Sequence, residues 1–146
     1  MSSDRAALVY LGMVDADYQV TRYWEYGIER KPVLGFQYLA GALRPEGVET
    51  EVWDLTLEPF SVDDLLRAAR ERGYGFIGFY SATSMKPRVL DWIRRIRHAR
   101  ADLPILVGGP GYFAAEAYLK ARADVAVRGE GERAIVELLA WMRGER

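Results

Sequence analysis

The sequence predicts an α/β fold, in which a doubly wound parallel sheet of five strands is covered by helices on both faces. Five short runs rich in β-branched and aromatic residues alternate with segments of helical periodicity along the chain. The chain has 146 residues, enough for one domain with a sizeable core, and half of its residues are hydrophobic. We therefore expect three layers, helix, sheet and helix.

The first strand is predicted from Ala6 to Leu11 and ends at Gly12. Segment 13–31 has no clear period and is longer than an ordinary connection between a strand and a helix, which predicts a binding loop. Its candidate ligand-lining residues are Asp15, Asp17, Tyr18, Tyr23, Trp24 and Tyr26. Its aromatic residues fit equally well as apolar anchors of a long loop.

The first helix is predicted to begin at Pro32, a favoured first-turn residue, and to stop at the Pro-Glu-Gly segment 45–47. The apolar residues at helical spacing in it are Leu34, Tyr38, Leu39, Ala42 and Leu43. The second strand follows from Val48 to Trp53 and reaches Asp54.

The second helix is predicted from a sequence like a capping box at Ser61, and Gly73 ends it. Segment 74–80 is apolar throughout, as expected of a central strand, and 81–84 is the loop after it. A long amphipathic helix follows over 86–100. The inward-facing residues of these two helices are predicted to be Leu65, Leu66, Ala69, Val89, Trp92, Ile93 and Ile96.

The fourth strand is predicted at 105–107, a helix at 112–120 and the fifth strand at 125–127, before a last helix that begins near Glu130. The apolar stripe of that helix is Ile135, Val136, Leu138, Leu139 and Met142. This order of elements predicts a single Rossmann-like, flavodoxin-like domain over residues 1–146, with strand order 2-1-3-4-5.

Composition excludes several classes of function. The net charge is −1 with both signs interspersed, so the sequence has no electrostatic footprint for nucleic acid. The absence of cysteine excludes disulfides, thiolate metal sites and a cysteine-bound iron-sulfur cluster within this chain. The longest apolar runs have strand length and the first residues lack the pattern of a signal peptide, so we expect a cytoplasmic location without membrane contact.

Glycines follow the last two strands at the edge where parallel sheets bind ligands. Gly108, Gly109 and Pro110 follow the fourth strand, and Gly129 and Glu130 follow the fifth. Glycine lets backbone come close to a bulky ligand, although by themselves these glycines are explained better by a tight turn between strand and helix.

Ser81 and Thr83 follow the third strand, where their hydroxyls are candidates for ligand contacts or for capping the next helix. Other ligands fit less well. The first turn lacks the Gly-x-Gly-x-x-Gly of dinucleotide-binding folds, and the third strand runs into Ser81 rather than the acceptor aspartate of a receiver domain. Acidic residues after the first strand would repel a flavin phosphate.

Six short motifs occur in one order along the chain. They are Pro32-Val33-Leu34-Gly35, Tyr38 to Leu43, Val52-Trp53-Asp54, Ile77 to Ser81, Gly108-Gly109 and Arg128-Gly129-Glu130-Gly131-Glu132. With them the chain resembles the N-terminal cobalamin-binding domain of cobalamin-dependent radical S-adenosylmethionine enzymes. Each motif is weak alone, and their order and spacing carry the resemblance.

This resemblance implies a cobalamin cofactor whose nucleotide tail enters a slot at the carboxyl ends of the strands. The cofactor-binding residues it implies are Ser81, Thr83, Gly108, Gly109, Pro110, Gly129 and Glu130. It also implies a partner, a radical S-adenosylmethionine barrel on another domain or subunit, which carries the cysteine motif, the iron-sulfur cluster and S-adenosylmethionine. The chain would not be catalytic alone, and methyl transfer is the implied reaction class.

One departure from related cobalamin proteins concerns the lower axial ligand of cobalt. Proteins that supply it use Asp-x-His-x-x-Gly after the first strand, and this chain has His98 as its single histidine, inside the third helix. We therefore predict no histidine ligand to cobalt. The missing motif also supports an alternative, a degenerate domain that has lost the cofactor and acts in protein interaction.

Overall fold

A computed structural model describes residues 4–12, 33–110 and 114–145. The strands are Arg5–Tyr10 (β1), Glu49–Asp54 (β2), Phe76–Tyr80 (β3), Ile105–Gly108 (β4) and Val125–Ala126 (β5). The α-helices are Leu34–Leu43 (α1), Val62–Arg72 (α2), Lys86–Ala99 (α3), Ala115–Lys120 (α4) and Glu132–Met142 (α5). All strand pairs are parallel in the order β2-β1-β3-β4-β5, which confirms the predicted fold class and strand order.

Local sequence chemistry sets most of the observed boundaries. The predicted capping box starts α2: the Ser61 hydroxyl accepts from the Asp64 amide at 3.1 Å, and the Asp64 carboxylate accepts from the Ser61 amide at 2.8 Å. Gly73 ends the helix with φ +70°. The last helix begins at Glu132, two residues later than predicted. The predicted binding loop 13–31, Pro32 and Tyr112 lie outside the described residues.

Not all the apolar residues at helical spacing in α1 face the core. The side chains of Leu34 and Tyr38 are 58% and 56% exposed, whereas Phe36, which lies outside that set, is buried. Phe36 packs edge-on against Tyr80 of β3, with ring centroids 6.3 Å apart. Because α1 carries apolar side chains on several sides, helical spacing alone fits more than one buried stripe.

The helices form two layers that differ in how fully they cover the sheet. Helices α2, α3 and α4 form one layer, called here the packed layer, whose buried side chains include Leu65, Ile93 and Tyr118. Helices α1 and α5 contact each other and form the second layer, called here the open layer. Under the open layer a smaller cluster joins the carboxyl-terminal halves of both helices to the sheet, with Leu43 and Leu139 fully buried.

The side chain of Arg97 in α3 bonds to the two segments that precede β4 and β5 at the amino edge of the sheet. Its buried guanidinium donates to the backbone carbonyls of Ala101, Leu103 and Arg122 and pairs with Asp124 at 2.6 Å. The same carboxylate accepts from the amide of Ile105 at the start of β4. A charge buried in this way is stable because all its donors have partners. Within the described segments, no helix is long and apolar enough to cross a membrane.

Candidate functional site

A cavity of about 200 Å³ lies between the sheet and the open layer, toward the carboxyl ends of the strands. Its floor comes from β1, β3 and β4, and its walls come from α1 and from the segment that joins β5 to α5. The lining residues are Leu8, Gly35, Phe36, Leu39, Gly78, Phe79, Tyr80, Leu106, Val107, Gly108, Gly109, Val127, Gly129, Glu130, Gly131, Glu132 and Ile135. This cavity is called the slot below.

Three glycines keep the slot open. Among the described residues, a Cβ atom added at Gly35, Gly108 or Gly129 would have no atom within 4 Å apart from those of its chain neighbours and, at Gly35, of its own helix backbone. Gly35 belongs to α1, Gly108 ends β4, and Gly129 precedes α5. The floor and both walls of the slot therefore each have a position without a side chain. An opening bounded by backbone on several sides fits a flat group that enters edgewise.

Gly109 has a different reason to be glycine. Its φ is +101°, and an added Cβ would lie 2.7 Å from the Ser81 carbonyl oxygen. The ends of β3 and β4 approach each other closely here, and the Ser81 amide donates a hydrogen bond to the Gly108 carbonyl at 2.8 Å. Gly109 therefore lines the slot through its backbone, while the strand-to-strand contact fills the place of its side chain.

The two predicted hydroxyl residues lie beside the slot and do not line it. Ser81 is fully buried, and its hydroxyl pairs with the Tyr118 hydroxyl of α4 at 2.5 Å. Thr83 is exposed and begins a short 3₁₀ turn before α3. Neither side chain caps that turn or α3, so the capping interpretation is wrong. Their predicted contact with a ligand stays a prediction.

Two of the last three predicted site residues line the slot. Gly129 and Glu130 line it, with φ +75° at Gly129, while Pro110 is exposed and outside the lining. Glu132, in the first turn of α5, lies at the positive end of the helix dipole, as predicted for the acids of this segment.

Sequence reasoning missed the contribution of α1 to the slot. Gly35, Phe36 and Leu39 form that wall. The Tyr80 ring packs between those of Phe36 and Tyr10, and the Tyr10 and Tyr80 ring centroids are 5.4 Å apart. The usable indication was topological: in strand order 2-1-3-4-5, the first and last helices cover the same face of the sheet. That order places α1 opposite the glycines that follow β4 and β5.

Two polar residues considered in the sequence lie away from the slot. His98 is exposed in the last turn of α3, in the packed layer. Asp54 ends β2, and one carboxylate oxygen accepts from the Thr56 amide at 3.0 Å and from its hydroxyl at 2.6 Å. Among the described residues no three His, Cys, Asp or Glu side chains form a group that could hold a metal ion.

A slot at the carboxyl edge of a doubly wound sheet lies where α/β domains of this class bind their ligands. The model of the B12-binding domain family matches residues 30–139, which is most of the chain. The chain belongs to the B12-binding domain family, and cobalamin is the cofactor that this membership gives it. No curated protein matches the chain significantly by sequence.

Solved structures share the fold. The radical S-adenosylmethionine methyltransferase TsrM from Kitasatospora setae, with tryptophan substrate and an S-adenosylmethionine analogue bound, aligns with a TM-score of 0.74 at 22% identity. That alignment covers 99% of this chain and 26% of TsrM. The cobalamin-dependent S-adenosylmethionine radical enzyme OxsB with aqua-cobalamin bound aligns with a TM-score of 0.73 at 18% identity, over 97% of this chain and 19% of OxsB. This chain thus spans about a quarter or less of each enzyme.

The fold alone does not distinguish cobalamin domains from receiver-like domains. A CheY-like protein, TadZ from Pseudomonas aeruginosa PAO1, aligns with a TM-score of 0.68 at 13% identity, over 94% of this chain and 98% of TadZ. At these identities the likeness shows the architecture only. The family match, rather than the shape, therefore separates the two classes here.

Proposed function

We propose that this chain holds cobalamin with its nucleotide tail in the slot and presents the cofactor to a radical S-adenosylmethionine partner, on a fused domain or a separate subunit. The observation that supports the tail position is the set of open positions at Gly35, Gly108 and Gly129. In this proposal, residues 1–146 form one domain that carries the cofactor.

The size of the slot favours a part of the cofactor rather than all of it. Pockets for drug-sized ligands have volumes of roughly 300 to 1,000 Å³. The slot has about 200 Å³, which suits one flat bicyclic base. The corrin ring would then stay outside, over the carboxyl edge, and the exposed Thr83 and Pro110 belong to that edge.

The reaction we propose for the assembled enzyme is methyl transfer. When bound, cobalamin supplies a cobalt atom that can carry a methyl group. Iron-sulfur clusters are held by cysteine thiolates, and this chain has no cysteine, so the cluster that cleaves S-adenosylmethionine has to be on the partner. The role of this chain is to bind and orient the cofactor. The fold shared with TsrM, itself a radical methyltransferase, supports this assignment.

We also propose that no histidine of this chain reaches cobalt. His98 lies 12 residues after the start of α3, about 18 Å along a helix that begins at the carboxyl edge and runs away from it. In electron paramagnetic resonance of the cob(II)alamin complex, we expect no nitrogen hyperfine splitting on the cobalt lines. The His98→Ala variant should give the same spectrum. Splitting that disappears in the variant would show histidine ligation.

Titration with hydroxocobalamin tests the binding proposal directly. The purified chain should retain corrin absorbance through gel filtration, and its visible spectrum should differ from that of the free cofactor. Absence of retained absorbance would overturn the proposal and favour the degenerate interaction module.

A pair of glycine variants tests the position of the tail. Gly108→Trp puts a large side chain into the slot, and we expect at least about a tenfold loss of cobalamin affinity. Gly41→Trp is the matched control, because Gly41 also has open space at its Cβ position and does not line the slot. Equal affinities for the two variants would disprove the placement of the tail.

A further inference from the structure

The inner part of the slot is apolar on all the described sides. Leu8, Gly78 and Leu106 lie side by side on β1, β3 and β4, and an added Cβ at Gly78 would be 3.1 Å from the side chain of Leu8. Phe36 of α1 and Ile135 of α5 complete this region. All four side chains in this group are buried.

Polar side chains lie at the rim. Among the described lining residues, the only side chains with oxygen or nitrogen atoms are Tyr80, Glu130 and Glu132. Glu130 is exposed, while Glu132 and Tyr80 are half-buried. The two carboxylates lie on the segment before α5 and in its first turn, and the tyrosine lies at the end of β3. None of them belongs to the buried group formed by Leu8, Leu106, Phe36 and Ile135.

The sheet backbone offers few free groups to a ligand in the slot. The floor strands pair with each other in parallel, with Leu8 opposite Gly78 and Gly78 opposite Leu106. Just after the end of β5, the amide of Val127 donates to the Val107 carbonyl of β4 at 2.7 Å. A polar base in the inner slot would therefore find few hydrogen-bond partners on the sheet.

We propose that the slot selects cobamides by the polarity of their lower base. It accepts dimethylbenzimidazole, or another apolar aromatic base, and discriminates against adenine. This inference rests on the proposed function, because the base must enter the slot to be selected. Adenine carries an exocyclic amine and additional ring nitrogens, and each of these groups loses water without gaining a partner.

The expected discrimination follows from the cost of one or two unpaired polar groups. We expect the adenine-bearing cobamide to bind about 10 to 100 times more weakly than cobalamin. A cobamide with a phenolic base, which has no ring nitrogen, should bind within about threefold of cobalamin. The corrin is the same in all three compounds, so differences report on the base and on the bond to cobalt that dimethylbenzimidazole and adenine, unlike phenol, can form in the free cofactor.

The test measures the affinity of the 146-residue chain for cobalamin, the adenine-bearing cobamide and cobinamide, which has no base, by absorbance titration and by thermal stabilisation. The inference predicts that cobalamin binds most tightly. Equal affinity for cobalamin and the adenine compound, with cobinamide weaker, would overturn the selectivity and leave the proposed function intact. Equal affinity for cobalamin and cobinamide would instead show that the base does not enter the slot.

A substitution should move the preference. Leu39 is half-buried on α1 and lines the slot, and Leu39→Gln supplies an amide that can pair with the edge of adenine. We expect the ratio of the two affinities to fall at least about threefold. Leu66→Gln is the matched control, a half-buried leucine of α2 in the packed layer, and it should leave the ratio unchanged. Equal ratios in the two variants would contradict the selectivity, and the comparison of natural cobamides stands even if either variant folds poorly.

Discussion

The two helix layers cover the same sheet and treat it differently. In the packed layer, α2, α3 and α4 bury side chains along the strands up to Tyr118 and Met85 near the carboxyl edge. In the open layer, α1 and α5 pack tightly near the amino edge and leave the slot near the carboxyl edge. One layer contributes stability, and the other combines stability with a place for a ligand.

The difference follows from where side chains are missing. Gly35, Gly108 and Gly129 have open space on the side of the open layer, whereas Leu65, Ile93 and Ile96 are fully buried in the packed layer. A void in a protein core costs stability because its lining atoms lose contacts. The slot is therefore a feature that folding alone would not favour, and a bound group would restore the missing contacts.

The largest expected effect comes from truncating one isoleucine in each layer. Ile93→Ala in the packed layer should destabilise the fold by about 3 to 5 kcal/mol, because it opens a cavity in filled core. Ile135→Ala, at the slot, should cost about 2 kcal/mol or less, since this side chain already borders open space. Urea denaturation of both variants measures the two losses. Equal losses would mean that the slot is as well filled as the packed layer.

Gly109 lies against Ser81 where the ends of β3 and β4 meet at the carboxyl edge of the sheet. Gly109→Ala combines a positive φ with a close contact to the Ser81 carbonyl, and should cost about 2 to 3 kcal/mol. Gly47→Ala also has a positive φ but faces open space, and should cost about 1 kcal/mol. Thermal unfolding of the two variants gives the difference. If Gly109→Ala is no worse than Gly47→Ala, the close approach of the strands is wrong.

Ser81 lies between the slot and the packed layer, and its hydroxyl pairs with Tyr118 of the packed layer. Ser81→Ala leaves the Tyr118 hydroxyl without its partner, so we expect a loss of about 1 to 2 kcal/mol in unfolding free energy. Because Ser81 has no exposed surface, cobalamin affinity should stay within about threefold of wild type. A tenfold or larger loss of affinity at modest loss of stability would instead place the hydroxyl in contact with the cofactor, as the sequence predicts.

The smallest expected effect is electrostatic and lies on the side of the packed layer. Burial alone would raise the pKa of Glu51, but hydrogen bonds from Tyr74 and Arg72 outweigh it and hold the pKa below its ordinary value of 4.5. A lowered pKa stabilises the fold above pH 4.5, and this contribution is lost as pH falls through the folded value. The stability difference between wild type and Glu51→Gln should therefore shrink as the solution is acidified. Chemical denaturation at several pH values measures it, and a constant difference would contradict the assigned partners.

The architecture was predictable because local rules and global topology agree. The capping box at Ser61, the glycine stop at Gly73 and the apolar strand before Tyr80 each identify their element without knowledge of its neighbours. The face of α1 was not predictable, because Leu34 and Phe36 satisfy helical spacing almost equally well, and only the position of Tyr80 on β3 decides between them.

The site was predictable where glycines follow strands at the carboxyl edge of the sheet. Gly108 and Gly129 were expected from their places after strands, and both line the slot. Gly35 was missed as a site residue because a glycine within a helix has many explanations. The hydrogen bond between Ser81 and Tyr118 could not be predicted from the sequence, because the two residues are 37 positions apart and no local pattern links their hydroxyls.

The shortness of β5 has a consequence for how the molecule meets other chains. Val125–Ala126 gives that side of the sheet only two residues of strand, and the opposite side ends in β2, which carries Glu49 and Glu51 beside Arg5. Long, flat and uncharged edges recruit strands from neighbouring molecules and lead to aggregation. The β5 margin offers an assembling polypeptide only two residues of strand backbone to pair with, whereas the six-residue β2 margin opposes pairing through its charged side chains.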